Sequence, residues 1–417
     1  MAQLYEKTNT DVKTSIKLVT EEAKWFRSYP MENITVSGNE NRVPLILSQP
    51  IFPAMIPDGG YERIMNTPAP TSGTFLPVQM NVRFGYTALA QALTSRARGA
   101  MIESQTEYQA NMAGYSFGRG IGLQTYGQST GYVAVVKTTG GASATQVIAL
   151  KNAFGSSSFV AGGDGGTQDT YLSNLFRVND RVAIIRAAAV VEFGTVTASP
   201  SASSGIGFID VTFSASCTPT VGDNLVFANA DIDITISGTD YNNWPIGLTE
   251  ILTATSVLGQ TTTSYPAWAA GSTSTATQRM GFVVKEKMIN DCFNAGGVKL
   301  NRFIIAQGVL RDAIAAQGGA RRYDGSDYDI EGDLKPGDGE QFFTSQLALP
   351  GTMIGYYDKA IRKIELSDQP SEEASKGIFK LDKVQARSAT AAGYDYFYQR
   401  IPSSRAATGY ATNLTSQ

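Results

Sequence analysis

The clearest pattern in this chain is a strict alternation of side chains between residues 78 and 86. Val78, Met80, Val82, Phe84 and Tyr86 alternate with Gln79, Asn81, Arg83 and Gly85. This period of two predicts a β-strand with one apolar face. Prolines from Pro44 to Pro77 disfavour helix upstream, so Val43–Leu47 is predicted to pair with the strand in a long hairpin. An isolated hairpin is marginally stable in water and needs another surface to lie against.

Helical patterns stand on both sides of this hairpin. Between residues 11 and 27, a spacing of three and four residues predicts an amphipathic helix with a single stripe, formed by Val12, Ile16, Val19, Ala23 and Phe26. The stripe docks either on its own domain or on a neighbouring subunit, and the sequence leaves both open. After the hairpin, Met101, Tyr108, Met112 and Tyr115 predict a long helix.

The segment from about residue 128 to residue 263 is rich in predicted strands and poor in charge. The candidate strands are Tyr132–Lys137, Gln146–Leu150, Arg181–Arg186, Val190–Thr197, Gly207–Phe213, Asn224–Ala228 and Asp231–Ser237. Glycine- and serine-rich turns separate them. Short strands at this spacing indicate a small barrel or a sandwich.

Beyond Thr273 the predicted elements alternate between helix and strand. Val284, Met288, Cys292 and Phe293 are expected on one helix face, and the helix is expected to end at Gly296. The predicted strands are Arg302–Ala306, Thr352–Tyr357, Arg362–Glu365, Ile378–Lys380 and Tyr394–Ile401. The polar tail from Ala411 is expected to be loose.

Composition argues against most kinds of catalysis. The chain contains no histidine, which excludes Ser-His-Asp triads and zinc sites built on imidazole. Charged residues make up 17% of the chain and the net charge is -3, whereas a dedicated nucleic-acid binder is normally basic. Cys217 and Cys292 are expected to be reduced and buried. No apolar run is long enough to span a membrane, and we expect no enzymatic activity and no cofactor.

Three motifs are candidate sites. Asp327, Asp329 and Asp338 approximate calcium-ligating positions of an EF-hand loop, but Asp338 replaces the bidentate glutamate. A solvated acidic loop is the favoured interpretation, and metal binding is a weak candidate. The G-x-S-x-G pattern around Ser129 leads into a strand, so it predicts a turn. Arg321 and Arg322, beside the acidic loop, are expected to form ion pairs with neighbouring subunits.

The order of these elements resembles the Hong Kong 97-type fold of tailed-bacteriophage major capsid proteins. Six sequence segments are also similar to segments of these capsid proteins. They are FLPVQMNVRFGYTALAQAL, LFRVNDRVAII, TPTVGDNLVF, NNWPIGLTEIL, KLNRFIIAQGVLRDAIAAQGGARRY and GTMIGYYDKAIRKIEL. The resemblance implies an α+β fold with an N-terminal arm (1–42), an E-loop hairpin (43–86), a P-domain with spine helix (87–127), a β-rich, barrel-like insertion (128–263), an A-domain region with P-domain strands (264–393), and a closing strand with tail (394–417).

The resemblance also implies a function. We expect a structural subunit that self-assembles into hexamers and pentamers of an icosahedral head around double-stranded DNA, in the virion capsid, after assembly in the host cytoplasm. Expected partners are further copies, a separate scaffold, a portal, a possible decoration protein and loosely held DNA, without a membrane. Expected intersubunit contacts are Val12, Ile16, Val19, Phe26, Val78, Met80, Val82, Phe84, Arg321 and Arg322.

Alternatives to a phage head remain open from the sequence. An encapsulin-like compartment shares the fold, and a β-rich phage tail or adhesion module is a second alternative. Some relatives join an E-loop lysine covalently to a neighbouring asparagine. Because no lysine occurs between Lys24 and Lys137, we expect no such cross-link from this loop.

Overall fold

The computed structural model describes residues 31–33, 41–45, 47, 71–75, 78–87, 116, 118–127, 129–152, 171–187, 189–228, 244–274, 278–279, 282–306, 340–345, 348, 351–365, 379–383, 389–412 and 414–415. In these residues helices and strands combine in a mixed α and β architecture. The helices within the described residues are α1 (residues 118–126), α2 (Leu248–Thr253) and α3 (Phe282–Gly296), with 3-10 turns at Tyr171–Leu175 and Pro266–Trp268.

The described residues form twenty-two strands, which are numbered in chain order. They are β1 (Met31–Asn33), β2 (Asn41–Leu45), β3 (Thr71–Phe75), β4 (Val78–Thr87), β5 (Ala134–Val136), β6 (Ser143–Asn152), β7 (Arg181–Arg186), β8 (Ala189–Ala198), β9 (Phe208–Cys217), β10 (Asn224–Phe227), β11 (Ser256–Val257), β12 (Gln260–Thr261), β13 (Ser272–Ser274), β14 (Gln278–Arg279), β15 (Arg302–Ala306), β16 (Gln341–Ser345), β17 (Met353–Tyr356), β18 (Ile361–Glu365), β19 (Phe379–Lys383), β20 (Ala389–Pro402), β21 (Thr408–Ala411) and β22 (Leu414–Thr415).

The β-rich segment forms a closed barrel of six strands in the order β10-β5-β6-β9-β8-β7. All neighbouring strands in the ring are antiparallel. The barrel interior is filled by fully buried aliphatic side chains such as Ile184, Ile209 and Val211. The sequence left barrel and sandwich open, and the structure forms the barrel. Each predicted strand from Tyr132 to Ala228 overlaps a barrel strand, while Asp231–Ser237 lies outside the described residues.

A five-stranded sheet in the order β13-β21-β17-β15-β16 packs against α3. The predicted strand Arg302–Ala306 is β15, and α3 ends at Gly296 as predicted. Gly297 follows with a φ of 70°, a left-handed conformation that glycine adopts without strain. Val284, Met288 and Cys292 are buried, whereas Phe293 is 55% exposed. The prediction that Phe293 shares the buried face is wrong, because one helical residue turns it about 100° from Cys292.

The predicted pairing of the hairpin is wrong. β2, which contains Val43, pairs antiparallel with β3. β4 pairs instead with β20, a strand of the same chain three hundred positions further along, in a register that runs from Val78↔Tyr398 to Thr87↔Ala389. The alternation in β4 specified a strand with two unlike faces, but it did not specify the partner strand.

The prediction of a loose tail from Ala411 is also wrong. β21 lies in the middle of the five-stranded sheet, between β13 and β17. Ala411, Thr412 and Leu414 are all buried. β22 then pairs in parallel with β14. The polar composition of this segment suggested a loose tail, but its backbone hydrogen bonds are satisfied inside the sheet.

Both cysteines are free thiols and are buried, as predicted. Burial raises the pKa of the Cys292 thiol to about 12, and the neighbouring Asp291 adds to the shift. No helix within the described ranges is long and apolar enough to cross a membrane.

Candidate intersubunit surface

β20, the longest of the described strands, holds together the sheet that contains β4. β4 pairs along one side of β20, and β19 and β18 pair along its other side. We call β4 and the residues of β20 that pair with it, 389–398, the ribbon. Among the described residues no strand pairs with the outer edge of β4. An edge of this kind presents unpaired backbone N–H and C=O groups to another chain.

The register of the ribbon separates two unlike faces. Residues directly opposite one another in an antiparallel pair share a face. One face therefore carries the pairs Met80 with Tyr396, Val82 with Tyr394, and Phe84 with Ala392. The other face carries Gln79, Asn81 and Arg83, which alternate with them. The apolar face includes aromatic residues, which dominate the energetics of many protein interfaces.

One end of the ribbon is anchored in the core of its own chain. Val78 is 8% exposed and its partner Tyr398 is fully buried. The Tyr398 hydroxyl donates a hydrogen bond to Gln124 Oε1 on α1. Burial raises the pKa of Tyr398 to about 12, although Arg400 lowers it in part. The phenol is therefore neutral at physiological pH and acts as a hydrogen-bond donor.

Arg400 fixes the same strand to the end of α1. The Arg400 Nη1 atom donates to the Gln124 carbonyl at 2.9 Å, and Nη2 donates to Thr125 Oγ1 at 2.7 Å. The side chain is fully buried. A guanidinium beside the last carbonyls of a helix is favoured by the negative end of the helix dipole. This arrangement stabilises the charge where water does not reach it.

A second chain segment, which follows the barrel, meets α1 at the same place. Gln399 Oε1 accepts a hydrogen bond from the Ile246 N–H at 2.8 Å. Thr249 Oγ1 donates to the carbonyls of Tyr126 and Gly127, at 2.7 and 2.8 Å. We call this set of contacts between α1, residues 246–250 and β20 the junction.

Only glycine fits at residue 247 in the junction. A Cβ atom there would lie 1.9 Å from the Gly127 carbonyl oxygen, which is a severe clash. The two chain segments that lead into and away from the barrel therefore touch backbone to backbone. Their close approach, together with the hydrogen bonds around it, joins the end of the ribbon to the end of the barrel at which the chain enters and leaves.

A carboxylate and a second buried arginine complete the junction. Glu250 accepts hydrogen bonds from the Ser129 N–H at 2.7 Å and from the Ser129 hydroxyl at 3.0 Å. Burial raises the pKa of Glu250, while Ser129 and Arg405 oppose the shift. Arg405 donates to the Ile251 and Ala254 carbonyls at the end of α2. Ser129 is thus a turn residue with a structural partner, in agreement with the sequence interpretation.

The predicted contact residues fall into two groups. Val12, Ile16, Val19, Phe26, Arg321 and Arg322 lie outside the described residues, as do the calcium candidates Asp327, Asp329 and Asp338. Val78 is packed in its own chain, and Met80, Val82 and Phe84 lie along β4. Within the described part of the chain, no group of three or more acidic, cysteine or histidine residues could hold a metal ion.

Sequence reasoning missed the residues that anchor the ribbon. Tyr394–Ile401 was predicted as a strand, but nothing assigned Tyr398 and Arg400 to α1. A signal was present, because an arginine within a run of strand-forming aromatic residues needs a partner if the strand is buried. The residues that supply this partner are far away in sequence, so pattern alone could not identify them.

No protein-family model and no curated protein matches the chain. The solved structures to which it is similar include a cyanophage A-1(L) capsid, at 9% identity over 92% of this chain and 90% of the other, with a TM-score of 0.49. The satellite phage P4 procapsid matches at 9% identity over 98% and 91%, with a TM-score of 0.40.

A third similar structure is an encapsulin complex from Synechococcus elongatus. It matches at 6% identity over 95% of this chain and 89% of the other, with a TM-score of 0.42.

Proposed function

We propose that this chain is the structural subunit of a protein shell, the major capsid protein of an icosahedral phage head that encloses double-stranded DNA. The observation that carries the proposal is the ribbon. It has an apolar face along Met80, Val82 and Phe84 and an edge strand, β4, that no other described strand pairs with. An isolated chain would leave such a strand open to unwanted pairing, whereas a shell covers it with the next subunit.

The energies involved suit repeated contacts in a shell. Burying one large apolar side chain stabilises a contact by about 1.5–3 kcal/mol before ordering costs. With three such residues on the ribbon, one contact between two subunits is weak. The sum of these contacts over a closed shell is large. The buried anchor at Tyr398 and Arg400 holds the ribbon in one direction, which lowers the entropy lost on assembly.

The finer features of the function are proposals as well. We propose hexamers and pentamers, a separate scaffold, a portal and a decoration protein as partners, and assembly in the host cytoplasm. The net charge of -3 fits a wall that encloses DNA without gripping it. We also propose that Val12, Ile16, Val19 and Phe26 dock on a neighbouring subunit, and that Arg321 and Arg322 pair with the acidic loop of another copy. The domain boundaries that follow from the resemblance remain part of this proposal.

The test uses two substitutions on opposite faces of β4. Val82→Asp places a charge on the apolar face, and Asn81→Asp places the same charge on the polar face of the adjacent residue. Negative-stain microscopy and sedimentation should show closed shells for the unchanged protein and for Asn81→Asp, and none for Val82→Asp. Circular dichroism and urea unfolding of unassembled protein should be the same for both variants.

Two results would contradict the proposal. One is an unchanged protein that stays a stable monomer at high concentration. The other is a Val82→Asp variant that assembles as well as Asn81→Asp. Where shells form in native material, their contents separate the two kinds of shell, since DNA indicates a phage head and enclosed protein cargo indicates an encapsulin-like compartment.

A further inference from the structure

The six barrel strands meet their connections at two ends of unlike character. The chain enters the barrel at β5 and leaves it after β10, at the end that adjoins the junction. The connections between β5 and β6, β7 and β8, and β9 and β10 gather at the opposite end, which we call the distal end. It comprises residues 137–142, the short turn after Arg186, and residues 218–223.

Asp223 holds the loops of the distal end in one arrangement. Its carboxylate is buried and accepts hydrogen bonds from the Thr220 N–H at 2.8 Å and from Arg186 Nε and Nη2 at 2.8 and 2.7 Å. Arg186 also donates to the Thr218 carbonyl at 2.9 Å, and the Gly140 N–H donates to the Pro219 carbonyl at 2.9 Å. All three connections are thereby tied to one another, and the surface is organised before any partner arrives.

The outer surface of this end carries few charges, namely Lys137 at the start of the first loop and the pair formed by Arg186 and Asp223. The sequence has no charged residue from Thr138 to Leu150 and none from Val211 to Gly222. Arg186 and Asp223 compensate each other in an ion pair at 2.7 Å. Val221 stands at the tip of its loop with 65% of its surface exposed. Solvent-exposed surfaces normally carry many charged residues, whereas the centres of protein contact surfaces are depleted in them.

The chain covers another part of the barrel itself. On β7 and β10 the residues that do not face the interior, Ala183, Ile185 and Val226, are buried in a second small cluster. Tyr132, Val190 and Phe193 pack against that cluster. At the distal end the described residues provide no such cover for Val221.

We propose that the distal end of the barrel is a contact surface between copies of this chain in the assembled shell. The inference rests on the proposed function and assigns a role to a part of the molecule that the ribbon does not involve. A surface with so few charges meets an identical surface with little repulsion between like charges. Three short loops are smaller than the roughly 20–30 residues per side of a standard stable interface. A contact this small therefore requires a partner that other contacts already hold nearby, which a second copy in a shell provides.

Cysteine labelling tests the proposal with a matched control. Val221→Cys lies at the distal end, and Ile206→Cys lies in the loop at the other end of the barrel, where Ile206 is 63% exposed. The natural thiols of Cys217 and Cys292 are buried and should label slowly. Each variant is treated with a maleimide reagent as unassembled protein and as shells made from this chain alone. We expect Val221→Cys to label at least tenfold more slowly in shells, and Ile206→Cys to label at the same rate in both.

Three results would overturn the proposal. Equal labelling of Val221→Cys in shells and in unassembled protein means that copies do not cover the distal end. Equal protection of both variants means that the shell blocks access in general. Protection only in native particles that contain other proteins assigns the surface to a decoration protein. If the chain forms no shells at all, the proposed function itself fails, and the inference falls with it.

Discussion

The barrel and the ribbon are both built from antiparallel strands, yet they differ at their edges. The barrel has no unpaired edge strand, whereas the ribbon has one among the described strands. In the barrel each strand is hydrogen-bonded on both sides, so the ring has no edge. In the ribbon, β20 is paired on both sides while β4 is paired only with β20 among the described strands. A closed barrel can bind a partner only through its side chains and loops. An open ribbon can bind through its backbone as well.

The two regions also differ in what stabilises them. The barrel is filled from within by aliphatic side chains such as Ile184 and Ile209. The ribbon is fixed at one end by buried polar contacts of Tyr398 and Arg400 with α1. We infer that damage to the barrel interior stays local, whereas damage to the anchor affects the ribbon and the proposed assembly together.

The largest expected effect is the loss of the anchor in Arg400→Met. The change removes charge-assisted hydrogen bonds worth about 1.5–3 kcal/mol each and leaves the buried Gln124 carbonyl and Thr125 hydroxyl without this donor. We expect a loss of about 3–5 kcal/mol in the free energy of unfolding, measured by urea denaturation. Amide hydrogen exchange should increase in β20 and remain slow in β9.

The matched control is Arg177→Met, at an exposed arginine, which should change stability by less than about 0.5 kcal/mol. Equal destabilisation by both changes would show that Arg400 is not an anchor. Faster exchange in β9 to the same degree as in β20 would show that the two regions are not independent.

A smaller effect, confined to the barrel, is expected for Gly194→Ala. The added Cβ would lie 2.5 Å from Val211 Cγ1 and 2.8 Å from Phe213 Cδ1. Overpacking of this kind costs about 1–3 kcal/mol. Hydrogen exchange should now increase in β9 and remain slow in β20, the reverse of the Arg400→Met result.

A double-mutant cycle sharpens this prediction. Adding Val211→Ala removes the nearest clashing atom, so the double variant should be less destabilised than the sum of the two single changes. Simple additivity would mean that the clash with Val211 is not the cause.

The smallest effect concerns the junction, which joins the two regions, and it depends on pH. Burial holds the pKa of Glu250 above its ordinary value of 4.5 in the folded protein. The folded state therefore binds this proton more readily than the unfolded chain does, and stability falls as pH rises from 4.5 through the folded pKa. Relative to Glu250→Gln, the unchanged protein should gain stability as the pH is lowered through this window towards 4.5.

Urea midpoints for both proteins at several pH values between 4.5 and 7 provide the measurement. Glu250→Gln keeps an oxygen that can accept the hydrogen bonds of Ser129 but does not titrate. A stability difference that stays constant with pH, or that grows in favour of the unchanged protein as pH rises, would contradict the prediction.

Sequence reasoning predicted the strands of the barrel, and several strands outside it, because their pattern is local. Arg181–Arg186 and Arg302–Ala306 were predicted with the bounds that the structure shows. It failed where the pairing partner is distant. The alternation from Val78 to Tyr86 was real, but its partner β20 lies more than three hundred residues away. β21 and the buried residues after Ala411 were missed because the small and polar residues of this segment give no periodic signal.

The amino-acid sequence alone determined the local elements, the lack of imidazole chemistry, the weak charge and the two faces of β4, because each depends only on neighbouring residues or on composition. The tertiary structure decided that β4 pairs with β20 and that Arg400 donates hydrogen bonds at the end of α1. It also decided that Gly247 touches Gly127 and that three loops with few charges meet at one end of the barrel. These are contacts between residues far apart in the chain. They form because buried backbone groups and charges must find partners in three dimensions, wherever in the sequence those partners stand.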